Sequence, residues 1–107
     1  MGTLAIFGTG VMGETLLSGL IRAGRPASDI LITERDPARA AALAEKYSVR
    51  RLDNAESAAA ADTLALVVKP QDMGGLLDEI APHLSAGNLV VSLASGITTA
   101  FLEQRLP

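Results

Sequence analysis

The chain has 107 residues, of which 49% are apolar and 20% charged, so it is long and apolar enough to fold as one small domain with a buried core and is not globally disordered. The net charge of −3 argues against a general nucleic-acid binder, which normally carries a basic face. The absence of cysteine excludes a disulfide scaffold and a thiolate metal site, and no apolar run approaches the roughly 18 residues of a membrane span.

Short β-rich runs alternate with longer helical stretches, which is typical of a parallel α/β sheet. Strands are predicted over residues 3–7, 29–33, 48–52, 63–68 and 89–93. The third run is polar and is predicted at an edge of the sheet. The fourth and fifth runs are predicted to be buried on both faces, as central parallel strands are.

Helix signals fill the intervals between these strands. Asp36 followed by Pro37 predicts a helix start, and Asp53 with Glu56 has the spacing of a capping box. The glycine pair at 74–75 weakens the fourth helix. Helices are predicted over residues 11–23, 37–47, 53–61, 72–81 and 98–105.

Five strands and five helices in this alternation predict a doubly wound parallel sheet over residues 1–107. A full domain of this kind has a sixth strand, which the sequence does not contain. We therefore expect residues 1–107 to be part of a larger protein.

The strongest functional signal is the glycine-rich segment between the first strand and the first helix. The first glycine permits a tight turn, the second lets the backbone approach a pyrophosphate, and the third lets the helix pack on the strand. The phosphates would then lie at the helix N-terminus, where free backbone N–H groups favour anions. This context predicts a Rossmann-type NAD(P) site at Gly8, Thr9, Gly10, Val11, Met12 and Gly13.

The residues after the second strand give conflicting signals about the cofactor. Glu34 follows Gly13 by 21 residues, the position at which an acid commonly binds the ribose of NAD. Arg35 and Arg39 would instead suit the 2′-phosphate of NADP, although a solvated helix face explains Arg39 nearly as well. The balance of charge favours NADPH, with NADH still accepted.

Two further segments follow strands at the edge of the sheet where ligands bind in such folds. Val68, Lys69 and Pro70 lie at the end of the fourth strand and just beyond it, and Lys69 is a candidate ligand or an ordinary loop charge. The small residues after the fifth strand fit a closely approaching ligand or a plain turn, and they are Ala94, Ser95 and Gly96. No acid–base, nucleophilic or metal-binding constellation is recognisable, so no catalytic residue and no metal ligand is predicted.

Three segments together are similar to pyrroline-5-carboxylate reductase: residues 6–14 (IFGTGVMGE), 68–71 (VKPQ) and 92–98 (SLASGIT). They occur in the family's order and with its spacing, and the resemblance covers essentially the whole chain. The resemblance implies an NAD(P)H-dependent enzyme of proline biosynthesis, which transfers hydride to the imine carbon of 1-pyrroline-5-carboxylate and so forms L-proline.

The resemblance also implies roles for individual residues. Residues 8–13 would be the phosphate loop, and Glu34 and Arg35 would lie at the ribose or 2′-phosphate. Asn54 matches an asparagine that contacts the cofactor, although it also suits a helix N-cap. The residues implied near the nicotinamide are Val68, Lys69, Pro70, Ala94, Ser95 and Gly96.

In the family, a sixth strand and an all-helical C-terminal domain follow, and that domain dimerises and supplies the substrate pocket. The resemblance therefore implies a small-molecule substrate, 1-pyrroline-5-carboxylate, and a homo-oligomer only through that domain. We expect no nucleic-acid or membrane partner, a cytoplasmic location, and no turnover by the 107 residues alone.

Two other functions stay open. The first is another NADP-dependent oxidoreductase of the β-hydroxyacid dehydrogenase type, although such proteins usually lack the Val-Lys-Pro-Gln segment. The second is a non-catalytic regulatory module that binds a nucleotide without reducing a substrate.

Overall fold

A computed structural model describes residues 2–8, 10–84 and 87–92. Two short 3₁₀ turns, Ala27–Asp29 and Ala81–His83, precede the second strand and follow the fourth helix. The strands and helices are β1 (Leu4–Phe7), α1 (Val11–Arg22), β2 (Ile30–Thr33), α2 (Pro37–Tyr47), β3 (Arg50–Arg51), α3 (Asn54–Ala60), β4 (Thr63–Leu66), α4 (Pro70–Ile80) and β5 (Leu89–Ser92).

The five strands form one parallel sheet in the order β3-β2-β1-β4-β5. The chain moves outward from β1 to β3 and then returns to the other side of β1 with β4. This order confirms the predicted Rossmann-type doubly wound sheet. It also places the carboxyl ends of β1 and β4 side by side at the switch point, where ligands bind in such sheets.

Alternating residues of the central strands build a core on each face of the sheet. On one face, Leu4 and Ile6 of β1 pack in a cluster with Leu17 of α1 and Leu43 of α2. The opposite face of β1 belongs to a second cluster, which contains Ala5, Phe7, Ala58, Leu64, Met73 and Leu77. Helices therefore cover both faces of β1 and leave its carboxyl end at the rim.

The two predicted helix starts are confirmed, with one correction. The Asp36 carboxylate caps α2 by accepting a hydrogen bond from the Ala38 backbone N–H at 3.0 Å. The Asp53 carboxylate caps α3 in the same way from the Glu56 backbone N–H at 2.7 Å. Because Asp53 is the N-cap, the N-cap interpretation of Asn54 is wrong, and Asn54 is the first helical residue.

Helix α4 begins at Pro70, two positions before the predicted start at residue 72. A proline fits the first helical position because its fixed φ suits the helix and its missing N–H leaves no donor unpaired. The helix continues through residues 74–75 despite the two glycines. Burial of Met73, Leu77 and Ile80 against the sheet explains this continuity, since packing outweighs intrinsic propensity.

The prediction that the fifth strand is buried on both faces is wrong for the residues that the structure describes. Leu89 is 59% exposed and Val91 is 40% exposed, whereas Val90 packs against the cluster on the α3 and α4 side. Among the described strands, β5 pairs only with β4 and is an edge strand, and only its face with Val90 packs against the core. The last predicted strand residue, Leu93, and the predicted helix 98–105 lie outside the described residues.

Within the described ranges, no helix combines the length and apolar character needed to cross a membrane.

Candidate functional site

A cleft of about 490 Å³ opens at the carboxyl ends of β1 to β4, and we call it the switch-point cleft. Every strand end there contributes residues, and α4 adds two more. The lining residues are Gly8, Gly10, Thr33, Glu34, Arg35, Arg51, Leu52, Asp53, Asn54, Val67, Val68, Lys69, Asp72 and Glu79.

Gly8 forms the tight turn at the end of β1. Its φ of +86° lies in the left-handed region, and an added Cβ would stand 2.7 Å from Val68 Cγ1 and 3.2 Å from Val68 Cα. The Val67 backbone N–H donates to the Phe7 carbonyl at 2.9 Å, which holds the ends of β4 and β1 together. The close approach of the two strand ends therefore requires glycine at this position.

Gly10 is the N-cap of α1, and the space beside it is open. An added Cβ would meet no heavy atom within 4 Å. Its φ of −75° and ψ of −158° are extended values that any residue can adopt. Glycine has no side chain to cap the first turn, whose N–H groups have no intrahelical partner. The start of α1 thus offers donors and the positive end of a helix dipole to an anion.

The other residues of the glycine-rich segment lie around this helix start. Val11 and Met12 are 85% and 57% exposed, and Gly13 is buried in the first turn of α1. Thr9 lies outside the described residues.

Glu34 and Arg35 follow β2 and have different environments. The Glu34 side chain is only 15% exposed, and its carboxylate accepts from the Asp36 backbone N–H at 3.4 Å and lies 3.8 Å from Arg39 Nε. The Arg35 side chain is 85% exposed, and its Nη2 lies 3.4 Å from Asp72 Oδ1 of α4. The Glu34 carboxylate is therefore held in the wall of the cleft, and the Arg35 guanidinium lies at the mouth of the cleft.

Arg39 is bound mainly by a polar cluster between α1 and α2. Its Nη2 lies 3.1 Å from Glu14 Oε1, and Glu14 Oε2 accepts from Lys46 Nζ at 3.0 Å and from the Tyr47 hydroxyl at 2.7 Å. We call these four residues the Glu14 cluster. Arg39 lines a separate depression of about 370 Å³ together with Val11, Glu14 and Tyr47, and not the switch-point cleft.

The same contacts hold the pKa of Glu14 at about 2, below its ordinary value of 4.5. The hydrogen bond from the Tyr47 hydroxyl is the largest cause, followed by the hydrogen bond from Lys46. Lys46 responds in the opposite direction, because its hydrogen bond to Glu14 raises its pKa.

Replacing Glu14 with glutamine should change the pH dependence of stability. A carboxyl whose pKa is lowered by folding stabilises the folded state above its ordinary pKa, and this contribution disappears as the pH falls to the folded pKa. We expect Glu14→Gln to lower the melting temperature near neutral pH. The difference from the wild type should shrink as the pH falls from 4.5 to about 2.

The measurement is thermal unfolding followed by circular dichroism across this pH range. Glu45→Gln on the exposed surface of α2 is the matched control. The prediction would be contradicted if the difference in melting temperature between Glu14→Gln and the wild type stayed constant across the pH range. It would also be contradicted if Glu45→Gln showed the same pH-dependent difference.

Asn54 and Lys69 complete the cleft on the side of α3 and α4. Asn54 Nδ2 donates to Glu79 Oε1 at 2.6 Å, which connects the two helices. Lys69 is the exposed N-cap of α4, and Pro70 is the first residue of that helix.

The structure thus brings seven of the predicted site residues together in one cleft: Gly8, Gly10, Glu34, Arg35, Asn54, Val68 and Lys69. Ala94, Ser95 and Gly96 lie outside the described residues. In the part of the chain with described coordinates, no group of three or more metal-ligating side chains is placed to hold an ion.

Sequence reasoning missed several lining residues. Arg51 ends β3, and the rule that ligands bind at carboxyl ends of parallel strands could have identified it. For Asp72, the sequence indicated only the start of a helix and not a place in the cleft. Glu79 lies in the last turn of α4, and no local pattern indicates that it reaches the cleft.

The sequence matches the family described as "NADP oxidoreductase coenzyme F420-dependent" over residues 3–96. Pyrroline-5-carboxylate reductase of Mycobacterium tuberculosis is 39% identical over 100% of this chain and 38% of that protein. The structure of a pyrroline-5-carboxylate reductase from Coxiella burnetii has a TM-score of 0.93 and 33% identity, and the match covers 98% of this chain and 40% of that one. An NADP-bound pyrroline carboxylate reductase from Plasmodium falciparum has a TM-score of 0.83 at 24% identity over 97% of this chain and 37% of that one, which shows the shared fold alone.

A parallel sheet in this order, with a glycine-rich turn at its switch point, defines a nucleotide-binding α/β domain. The chain belongs to the family of NADP oxidoreductases described as coenzyme F420-dependent. Within that family, the similarity to pyrroline-5-carboxylate reductase is confirmed by the curated relatives and by the structural match. The chain spans about 38–40% of the length of these relatives.

Proposed function

We propose that this chain is the NADPH-binding part of a pyrroline-5-carboxylate reductase, an enzyme that transfers hydride to the imine carbon of 1-pyrroline-5-carboxylate and forms L-proline. The observation that carries the proposal is the 39% identity to such a reductase across the whole chain. In this proposal, residues 1–107 are the cofactor domain of a two-domain reductase. The remaining length of the relatives corresponds to the part that places the substrate and forms any homo-oligomer.

The pyrophosphate of the cofactor is assigned to the start of α1. The open space beside Gly10 supports this assignment, because a phosphate must come close to the backbone there. The first-turn N–H groups of α1 would donate to the phosphate oxygens, and the helix dipole would favour their charge. The residues assigned to this loop are Gly8, Thr9, Gly10, Val11, Met12 and Gly13.

The adenosine end is assigned to the residues after β2 and β3. Glu34 and Asn54 offer polar groups to the ribose, and Arg35 offers a guanidinium to a 2′-phosphate. Arg51, at the end of the neighbouring strand β3, is a second arginine of the cleft lining. Arg39 acts on this end indirectly, because it pairs with Glu34 and reduces the negative charge there.

The nicotinamide end is assigned to the residues after β4 and β5: Val68, Lys69, Pro70, Ala94, Ser95 and Gly96. When bound, the nicotinamide supplies the hydride. The chain's own residues bind and orient the cofactor, and none is assigned a catalytic role. Hydride transfer to an imine depends chiefly on how the two reactants are positioned, so the domain contributes placement.

Replacing Arg35 with alanine should change cofactor choice. A guanidinium–phosphate hydrogen bond is charge-assisted, so we expect NADPH binding to weaken about tenfold and NADH binding to stay nearly unchanged. Calorimetric titration with each cofactor measures the ratio of the NADPH and NADH affinities. Arg50→Ala is the matched control, because Arg50 is exposed on β3 but does not line the switch-point cleft in the described structure. Equal losses for both cofactors, or a wild-type preference for NADH, would contradict the assignment of Arg35 to the 2′-phosphate and would favour an NAD site with Glu34 on the ribose.

The function itself is tested with two readouts on one preparation of the chain. Calorimetry with NADPH and NADH should show saturable binding that is stronger for NADPH. Oxidation of NADPH in the presence of 1-pyrroline-5-carboxylate should be absent even at high protein concentration, since the substrate site is assigned to the remaining length of the relatives. If neither NADPH nor NADH binds to the chain, the proposed function is contradicted. Robust turnover by the chain alone would contradict the division of roles between two domains.

A further inference from the structure

One ion pair crosses the mouth of the switch-point cleft. Arg35 follows β2, Asp72 lies in the first turn of α4 after β4, and β1 lies between these two strands in the sheet. Arg35 Nη2 and Asp72 Oδ1 are 3.4 Å apart, and both residues line the cleft. The pair therefore bridges the two sides of the cleft above the end of β1, where the glycine-rich turn begins.

The two partners differ in how firmly they are held. Asp72 belongs to α4, and its backbone N–H donates to the Lys69 carbonyl at 2.9 Å. Its side chain is 34% exposed, whereas the Arg35 side chain, on the loop between β2 and α2, is 85% exposed. Arg35 can therefore exchange partners more easily than Asp72 can move.

We infer that Asp72 is a specificity-determining residue that competes with the 2′-phosphate of NADP(H) for Arg35. The inference rests on the proposed function. A guanidinium binds a carboxylate or a phosphate through the same planar array of donors, so Arg35 must weaken its contact with Asp72 to engage the phosphate fully. NADH carries no 2′-phosphate and leaves the pair intact. Asp72 thereby lowers the preference for NADPH and preserves the use of NADH.

The surrounding charges single out Asp72 for this role. The other acids of the lining are Glu34, Asp53 and Glu79, and each has a different contact: Glu34 with Arg39, Asp53 with the Glu56 backbone N–H, and Glu79 with Asn54. Removing the Asp72 charge should therefore act mainly through Arg35. Exposed ion pairs are weak, so the effect on affinity is expected to be about two- to fivefold.

The test compares the wild type with Asp72→Asn, which keeps the size of the side chain and removes its charge. The probes are NADPH, NADH, adenosine 2′,5′-bisphosphate and adenosine 5′-monophosphate, each titrated by calorimetry. We expect Asp72→Asn to bind NADPH and the bisphosphate about two- to fivefold more tightly. Binding of NADH and the monophosphate should be unchanged. Asp78→Asn, an exposed residue of the same helix, is the matched control, and Asp72→Ser is a second variant with the charge removed.

A double variant separates this mechanism from direct repulsion. In the Arg35→Ala background, Asp72→Asn should no longer improve NADPH binding. A gain that persists there would show that Asp72 repels the phosphate directly and would overturn the inference. Weaker NADPH binding by Asp72→Asn, or equal changes for NADPH and NADH, would also overturn it. A wild type that binds none of the four probes would refute the proposed function itself, whereas an unchanged NADPH to NADH ratio in both Asp72 variants would refute this inference alone.

Discussion

Replacing Gly10 with valine is expected to weaken NADPH binding at least about a hundredfold, while the fold is retained. In the structure, no heavy atom lies within 4 Å of an added Cβ, and the backbone angles of Gly10 suit any residue. The folded state therefore accommodates the side chain, with a loss of helix capping on the order of 1 kcal/mol. The bulk of valine then occupies the space through which the pyrophosphate approaches the backbone.

Calorimetric titration measures the loss of affinity, and circular dichroism measures whether the fold is kept. Gly19→Val is the matched control, because Gly19 lies in the same helix and an added Cβ there also meets nothing within 4 Å. This control should bind NADPH like the wild type. Unaltered affinity in a folded Gly10→Val variant would rule out the assignment of the pyrophosphate to this loop.

Replacing Gly8 with alanine should destabilise the fold itself, unlike Gly10→Val, which should weaken cofactor binding and leave the fold intact. The left-handed φ costs an alanine about 1–2 kcal/mol, and the short distance to Val68 adds a steric cost. We expect a total loss of about 2–4 kcal/mol in the free energy of unfolding, with a clear fall in melting temperature. Urea denaturation measures the difference.

Two further variants separate the contributions. Gly24→Ala has a φ of +102° but nothing within 4 Å of the added Cβ, so it reports the backbone cost alone. Adding Val68→Ala to Gly8→Ala removes the contact with Cγ1 but leaves the contact with the Val68 backbone, so a double-mutant cycle should show partial recovery. If Gly8→Ala costs no more than Gly24→Ala, the crowding between the ends of β1 and β4 is refuted.

The fold could be predicted where local signals and burial agree. The carboxylates of Asp36 and Asp53 cap helices in the predicted way, and the apolar runs of β1, β2 and β4 are central strands. The burial of β5 could not be predicted, because an apolar run does not reveal how many of its faces are covered. That depends on which elements pack against it, which is a property of the whole fold.

In the cleft, too, local signals predicted some features, and others depend on how the whole fold packs. The glycine-rich turn and the segment at Lys69 follow predicted strands, so parallel topology was enough to bring them together. The contact of Arg39 with Glu14 depends on the packing of α1 against α2, and the contact of Arg35 with Asp72 depends on the distance between the loop after β2 and the first turn of α4. Neither distance is encoded in a local pattern, so the sequence could indicate the charges but not their partners.

A heteronuclear NMR titration of the chain with NADPH tests most directly whether the switch-point cleft holds the cofactor. Saturable shifts are expected at the backbone N–H groups of Gly8, Gly10, Arg35, Asn54 and Lys69, with those of Lys46 and Tyr47 in the Glu14 cluster nearly unchanged. The absence of saturable shifts, or shifts confined to the depression beside the Glu14 cluster, would contradict cofactor binding at this site.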